Sequence, residues 1–354
     1  MKKILLSTIA LAFLANCAPK IKDFNNYIKQ PILKSEFISE EKFKKDKPSV
    51  VVANFNNRDS ELARKANLGS SMAVTVENFL GASKLVKLQD RKAFKNLEKE
   101  IALAEMQETG SYTGPISADY VVSGDVSIAD YQYKFIAEKV SYNPKSGGIY
   151  RTPAKNKYTA TFSGNLKIYE LPSLKLSEVI PISGKKIRTE DAVVNKAWLF
   201  NSTIDTSTMK KSDLELVQKA GEVALKKNQH ILKNIFSNLR KGYILEKRAK
   251  GNKTLFKISL GKDSAIKLGQ KVKIFTIEEN ENPITGDVKE ENVEVGVGVI
   301  TDRISSKYAW VLVKDKQVAS RLKIGDFVTV MYKKSHLKNL LLTSPGERMM
   351  NPDF

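Results

Sequence analysis

Residues 158–168 read Tyr-Thr-Ala-Thr-Phe-Ser-Gly-Asn-Leu-Lys-Ile, and this stretch decides what kind of fold the chain has. Tyr, Ala, Phe, Gly, Leu and Ile occupy the even positions, whereas Thr, Ser, Asn and Lys occupy the odd ones. Successive side chains of a strand point to opposite faces, so the pattern predicts an antiparallel strand with one buried face. Residues 174–187 form another extended segment, which gives this strand a neighbour.

The chain before this stretch alternates between two other patterns. Short apolar runs typical of buried strands are separated by stripes of helical period, in the order 50–55, 68–80, 84–88, 94–103 and 119–129. The polar stretch Asn56–Asn67 predicts a loop, and Gly81 predicts the end of the first helix. A β-α-β-α-β order is typical of an α/β layer. The sequence therefore predicts a mixed α+β or α/β fold, with a three-layer α/β domain and an antiparallel extension.

The chain after this stretch is predicted to contain one long helix and then mostly strands. Apolar residues at helical spacing predict an amphipathic helix from Asp213 to Leu239, and Arg248–Lys253 is a polar segment that predicts a linker. An internal echo follows, because residues 266–274 and 322–330 share a pattern in which glycine precedes a strand. We predict a small β-barrel domain at 254–334 and an extended tail at 335–354.

The first residues have the features of an export signal. Lys2 and Lys3 precede an apolar run from Ile4 to Leu14, which is too short to span a bilayer. Residues 14–17, Leu-Ala-Asn-Cys, resemble a bacterial lipobox, and Cys17 is the only cysteine of the chain. We therefore predict a signal peptide at 1–16 and lipidation of Cys17, palmitate included, followed by a tether at 17–47. The alternative is a plain secretory signal with an incidental cysteine.

Composition limits the function. The 354 residues include 59 Lys+Arg and 39 Asp+Glu, a net charge of +20, with 42% hydrophobic residues, as in a folded soluble protein. One cysteine excludes an internal disulfide, and two histidines argue against a multi-His metal site. We expect no catalytic, metal or cofactor-binding residues, and no nucleic-acid partner for an exported protein. The excess of lysine predicts either solvated faces or attraction to anionic head groups or an acidic partner.

Residues 49–239 resemble the curli secretion channel family of outer-membrane lipoproteins. The segments that carry the resemblance lie in the family's order: Val50–Phe55, Leu68–Met72, Lys84–Arg91, Glu105–Gly110, Ala118–Val126 and Lys145–Gly148. The resemblance implies a three-layer α/β domain at 48–240, whose copies form a ring. It also implies two hairpins per subunit that complete a transmembrane pore, with pore-lining positions in Asn56–Asn67.

The chain departs from that family in three ways. Its two hairpin candidates, Lys145–Phe162 and Val193–Ile204, are short for a bilayer, and the first contains Pro153. Asn56–Asn67 lacks the aromatic residue that narrows the family's channel. The C-terminal barrel is additional, and this arrangement is similar to that of periplasmic ring proteins of the flagellar basal body.

Three functions follow as hypotheses. The first is an outer-membrane lipoprotein on the periplasmic face, forming a homo-oligomeric ring that assembles or exports a protein client. The second is a ring or scaffold without a pore, as a component of an envelope machine such as the flagellar basal body. The third is an envelope-polymer hydrolase, against which Asp119 and Asp125 count, because six residues of strand separate them by about 20 Å.

Overall fold

The computed structural model is a mixed α+β protein, built mostly from strands and divided into two compact units. The sheet unit comprises Ser49–Ala82 and Lys87–Gln229. The barrel unit comprises the chain up to Pro48, Ser83–Val86 and the chain from His230 onward. The structure describes residues 19–34, 47–94, 96–107, 111–114, 117–144, 146–192, 194–196, 202–204, 209–281, 284 and 286–334. The predicted signal peptide, Cys17 and the predicted tail at 335–354 lie outside the described residues.

The strands and helices of the described residues are as follows. The strands are β1 (Ile28–Gln30), β2 (Ser49–Val52), β3 (Lys87–Leu88), β4 (Tyr120–Ile136), β5 (Lys139–Asn143), β6 (Gly148–Thr152), β7 (Lys155–Glu170), β8 (Lys175–Asp191), β9 (Val194–Lys196), β10 (Ser202–Ile204), β11 (Gly242–Lys250), β12 (Lys253–Ile258), β13 (Lys271–Glu281), β14 (Val288–Ile304), β15 (Ala309–Val313) and β16 (Phe327–Val330). The helices are α1 (Glu61–Lys65), α2 (Leu68–Ser83), α3 (Leu97–Gln107), α4 (Leu214–Asn238) and α5 (Lys316–Arg321).

The sheet unit contains a five-stranded sheet in the order β3-β2-β4-β7-β8. Strand β2 is parallel to β3 and β4, and the other pairs are antiparallel. Two predictions near β2 were wrong. Helix α1 lies within the predicted loop Asn56–Asn67, where the Ser60 hydroxyl caps it by accepting a hydrogen bond from the Ala63 N–H at 3.2 Å. Helix α2 continues through Gly81 to Ser83.

The alternation at residues 158–168 is confirmed in β7. Every even residue from Tyr158 to Ile168 is buried, and every odd residue between them is half-buried. Helix α4 crosses the sheet on the buried side at very short range. A Cβ on Gly184 of β8 would lie 2.1 Å from the backbone oxygen of Ala220, so only glycine allows the helix to approach this closely.

The barrel unit contains a closed six-stranded antiparallel barrel, as the sequence predicted. Its strands follow the order β11-β12-β15-β14-β13-β16, and pairing of β16 with β11 closes the circle. The two glycines of the internal echo, Gly269 and Gly325, have φ of 77° and 103°. Each therefore occupies the left-handed region that favours glycine, immediately before strands β13 and β16.

The boundaries of the barrel were predicted incorrectly. Strand β11 begins at Gly242, so the barrel starts earlier than the predicted residue 254. The predicted linker Arg248–Lys253 belongs to the hairpin between β11 and β12, where Gly251 turns the chain at a φ of 55°. The alternating charged residues at the end of β11 resemble a solvated linker in sequence, although most of them are half-buried.

Part of the predicted tether at 17–47 is docked on the barrel instead. Strand β1 pairs with β11 in antiparallel register, with Ile28 opposite Ala249. Ile21 and Tyr27 are buried, and they form one apolar cluster with Leu255 and Leu312. The aromatic and aliphatic residues between the lysines of this segment explain the docking, because their burial stabilises it.

Candidate functional site

The predicted pore-lining stretch Asn56–Asn67 borders a cleft of about 280 Å³ in the sheet unit. We call it the Asn54 cleft, since it lies where the chain leaves β2. Its polar lining includes Asn54, Asn57, Arg58, Glu98, Glu105, Asp125 and Lys167. The carboxyl ends of parallel strands are the usual place for a ligand in such a sheet, which makes this cleft the first candidate.

Within the Asn54 cleft, one lysine forms ion pairs with two carboxylates. Lys167 Nζ lies 2.8 Å from Glu105 Oε1 and 3.2 Å from Asp125 Oδ2. Burial alone lowers the pKa of Lys167, but its hydrogen bonds to both carboxylates raise the pKa above its ordinary value. The Tyr169 hydroxyl also donates to Glu105, and burial together with that bond raises the pKa of Tyr169 strongly. This ion-pair network links β7 to α3 and to β4.

The second candidate is the hairpin β5–β6. The sequence placed a hairpin at Lys145–Phe162, but the structure places it at Lys139–Thr152, with β7 beginning at Lys155. Pro153 lies in the break between β6 and β7, where its missing N–H cannot support a ladder. The prediction was therefore wrong in position.

The hairpin is amphipathic. Tyr142 lies opposite Ile149 and Val140 opposite Arg151, so these side chains share one face of the two strands. Val140, Tyr142 and Ile149 are 57%, 65% and 67% exposed, and we call them the apolar hairpin face. The opposite face carries Lys139, Ser141, Tyr150 and Thr152. Sequence reasoning missed this face because it began the hairpin after residues 139–143, although the alternation of Val140 and Tyr142 with polar residues was visible.

The sheet unit also has a long edge strand. Strand β8 is the last strand in the order of its sheet, and it extends from Lys175 to Asp191. Edge strands present unpaired backbone groups to a partner. Beyond β8, the predicted second hairpin at Val193–Ile204 is present as β9 paired with β10, with Asn195 opposite Thr203.

The described residues contain neither a metal-binding group of side chains nor a membrane-spanning helix. In that part of the chain, no group of three or more His, Cys, Asp or Glu side chains is placed to hold a metal ion. Within the same residues, every helix is too short or too polar to cross a membrane.

Comparisons with known proteins identify no family. No family model matches the chain, and no curated protein matches it. Among solved structures, the hypothetical protein CT253 from Chlamydia trachomatis is similar with a TM-score of 0.24 and 16% identity, over 39% of this chain and 72% of that one. A PelC dodecamer from Paraburkholderia phytofirmans has a TM-score of 0.21 and 16% identity, over 56% of this chain and 93% of that one. At these TM-scores, neither likeness indicates a shared fold or function.

Proposed function

We propose that this chain is a lipoprotein of the outer membrane, acylated at Cys17 on the periplasmic side, whose copies form a ring. The ring would serve the assembly or export of an envelope or extracellular structure. The apolar hairpin face is the observation that supports this proposal, because three large apolar side chains, each more than half exposed, mark an interaction surface.

The partner we propose for the apolar hairpin face is a second copy of the chain. Each copy carries both this face and the long edge strand β8. Contacts between two different surfaces, repeated from copy to copy, close into a ring when the rotation between copies allows it. The same two surfaces would then be used in every subunit.

We propose that the sheet unit has the three-layer arrangement implied by the resemblance to curli secretion channels. Leu97 and Ile101 of α3 cluster with Val51 and Val121, which supports a helix layer on one face. The contact of Gly184 with α4 involves the face that carries the even residues of β7, and this supports a layer on the other side.

The short strands of the hairpin favour a ring without a pore over a secretion channel. Strands β5 and β6 have five residues each, or roughly 17 Å at 3.3 Å per residue. The hydrocarbon core of a bilayer is about 30 Å thick, and a lipid-facing cation such as Arg151 would cost about 2–4 kcal/mol at its centre. A ring without its own pore, at an envelope machine such as the flagellar basal body, therefore fits these strands better than curli-type secretion.

The test of the ring is the mass of the purified protein. Protein extracted from membranes in detergent is examined by light scattering and negative-stain microscopy. We expect rings for the wild type and monomers for Val140→Ser/Tyr142→Ser/Ile149→Ser. The matched control is Tyr150→Ser, which removes an equally exposed aromatic side chain from the opposite face and should leave the rings intact. Monomeric wild-type protein at every concentration, or rings in the triple variant, would contradict the proposal.

The two kinds of ring are separated by conductance in planar bilayers. A scaffold leaves the bilayer silent although rings are visible by microscopy. Steady single-channel steps that disappear in the triple variant would instead support a secretion channel. The anchor is tested separately, since Cys17→Ser should move the protein from the membrane fraction to the soluble periplasmic fraction.

A further inference from the structure

A pocket of about 360 Å³ lies on the barrel, on the side opposite its apolar core. Lys257 of β12 and Trp310 of β15 are directly opposite each other across the two strands, so their side chains share a face. The neighbouring residues Phe256 and Val311 point the other way, into the core. We call this the Trp310 pocket, lined by Lys257, Arg303, Ile304, Ser305, Tyr308 and Trp310.

The cations of the Trp310 pocket rest on aromatic rings. Lys257 Nζ lies 4.6 Å from the centre of the Tyr308 ring, and Arg303 Cζ lies 5.4 Å from the centre of the Phe24 ring. A ring positions a cation but leaves its positive charge in place. Within the described part of the chain, neither Lys257 nor Arg303 forms an ion pair with a carboxylate. The pocket therefore presents two positive charges that are oriented but not neutralised.

The charges around this pair of cations are already engaged. Arg248 lies over both Phe24 and Trp310, and its Nε donates to Glu246 Oε1 at 2.7 Å. The carboxylate of Asp302 accepts a hydrogen bond from the Ile21 backbone N–H at 2.8 Å. Among the described residues, neither Glu246 nor Asp302 forms an ion pair with Lys257 or Arg303.

This composition matches the interface of a membrane. Trp and Tyr side chains settle at the level of lipid head groups, because their rings are apolar and their N–H or O–H groups bind water. Lysine and arginine near an anionic leaflet each add about 1 kcal/mol of attraction. Tyr308 is 41% exposed and Arg303 is exposed, so both can reach a surface that the barrel touches.

The short chain between Cys17 and Ile21 would keep a membrane surface near the Trp310 pocket. Ile21 is fixed to Asp302, the residue before Arg303, and Phe24 packs edge-on against Trp310 with 5.0 Å between ring centres. Ile21 lies four positions after Cys17, and a fully extended chain over four residue steps spans at most about 14 Å. An acyl group on Cys17 would therefore hold the bilayer close to Ile21, whose backbone N–H is bonded to Asp302 beside the pocket residue Arg303.

We propose that the Trp310 pocket binds the phosphate head group of an anionic phospholipid, in the leaflet that holds the acyl chains of Cys17. The barrel then lies directly on the bilayer surface, and Lys257 and Arg303 contact the phosphate. The proposal rests on the proposed function for the anchor, whereas the pocket and its charges stand independently of it. It also gives part of the positive charge of the chain a purpose.

The test uses protein without an acyl group, so that the anchor cannot supply the binding. The chain from residue 17 onward, carrying Cys17→Ser, is sedimented with vesicles of phosphatidylcholine, with or without phosphatidylglycerol. We expect binding only to the anionic vesicles. Lys257→Gln/Arg303→Gln should weaken it about thirtyfold, from about 1 kcal/mol per cation. The charge-matched control Lys271→Gln/Lys289→Gln should change it by about twofold at most, and circular dichroism checks that both variants fold.

Three results would overturn the proposal. Equal weakening in the two variants would mean that only net charge matters, and equal binding to neutral vesicles would remove the role of the phosphate. Release from vesicles by inorganic phosphate, but not by sulfate at equal ionic strength, would make the pocket a site for free phosphate. Quenching of Trp310 fluorescence by brominated lipid, measured in Trp198→Phe, should accompany binding. A bare Cys17 found by mass spectrometry would refute the anchor while leaving the vesicle results unaffected.

Discussion

Apolar and polar residues alternate in the same way in β7 and in the hairpin β5–β6, but the apolar residues of β7 are buried and those of the hairpin are exposed. Tyr158, Phe162 and Leu166 of β7 are at most 2% exposed, whereas Tyr142 and Ile149 of the hairpin are 65% and 67% exposed. Both sets point to one face of an antiparallel pair, so alternation alone does not determine burial. The difference is that α4 packs against the sheet of β7, whereas no described element buries Val140, Tyr142 and Ile149.

Truncating a buried side chain of β7 should lower the stability of the protein most. Phe162→Ala should lower the free energy of unfolding by about 3–5 kcal/mol, since it removes a large buried ring and leaves a cavity. Ile149→Ala in the hairpin should change it by less than about 0.5 kcal/mol in the monomer. Urea unfolding, read by circular dichroism, measures both. Similar losses for the two variants would mean that the hairpin is part of the core of a single chain.

A smaller loss of stability is expected where α4 contacts β8. Gly184→Ala adds a Cβ that would lie 2.1 Å from the Ala220 oxygen and 2.6 Å from the Ala224 nitrogen. Backbone atoms must shift to admit it, and overpacking of this kind lowers stability by about 1–3 kcal/mol. The neighbouring Ser183→Ala, on the exposed face, is the control and should be nearly neutral. If both variants unfold at the urea concentration of the wild type, α4 does not lie tightly against β8.

The smallest effect is expected near the start of β7, where Tyr131 of β4 stacks on Tyr158. The Tyr131 hydroxyl donates to the Lys210 carbonyl at 2.8 Å, and burial, then the charge of Asp213, raises the pKa of Tyr131 to about 12. A pKa that is higher in the folded than in the unfolded state gives stability below pH 10 that is lost as the pH rises toward 12. Tyr131→Phe should therefore flatten the fall in unfolding free energy between pH 10 and 12. An unchanged slope would place the tyrosine in water.

Much of this architecture could be predicted from local patterns. The period of two in β7 and the glycines that precede β13 and β16 are confirmed, since each depends only on neighbouring residues. The closed barrel is also confirmed. Helix α3 at Leu97–Gln107 overlaps the predicted helical stripe 94–103 and ends four residues after it, and α4 matches its predicted helix to within one residue at each end.

The features that the sequence did not reveal depend on contacts between distant residues. Arg248 begins the segment that was predicted to be a polar linker, yet its guanidinium lies over the rings of both Phe24 and Trp310. Trp310 is more than sixty positions further along the chain. The same contacts dock the N-terminal segment that was predicted to be a tether. For the candidate site, the apolar hairpin face was missed because the predicted hairpin began at Lys145, after Val140 and Tyr142.

If a second copy of the chain covers the apolar hairpin face, thiols placed on the two faces of the hairpin should differ in accessibility. Ile149→Cys and Tyr150→Cys are made separately in a Cys17→Ser background, so that each protein has one thiol. We expect slow alkylation at position 149 and fast alkylation at position 150 in the purified assembly, with equal rates after unfolding in urea. Equally fast alkylation at both positions in the folded protein would contradict coverage of this face by a second copy.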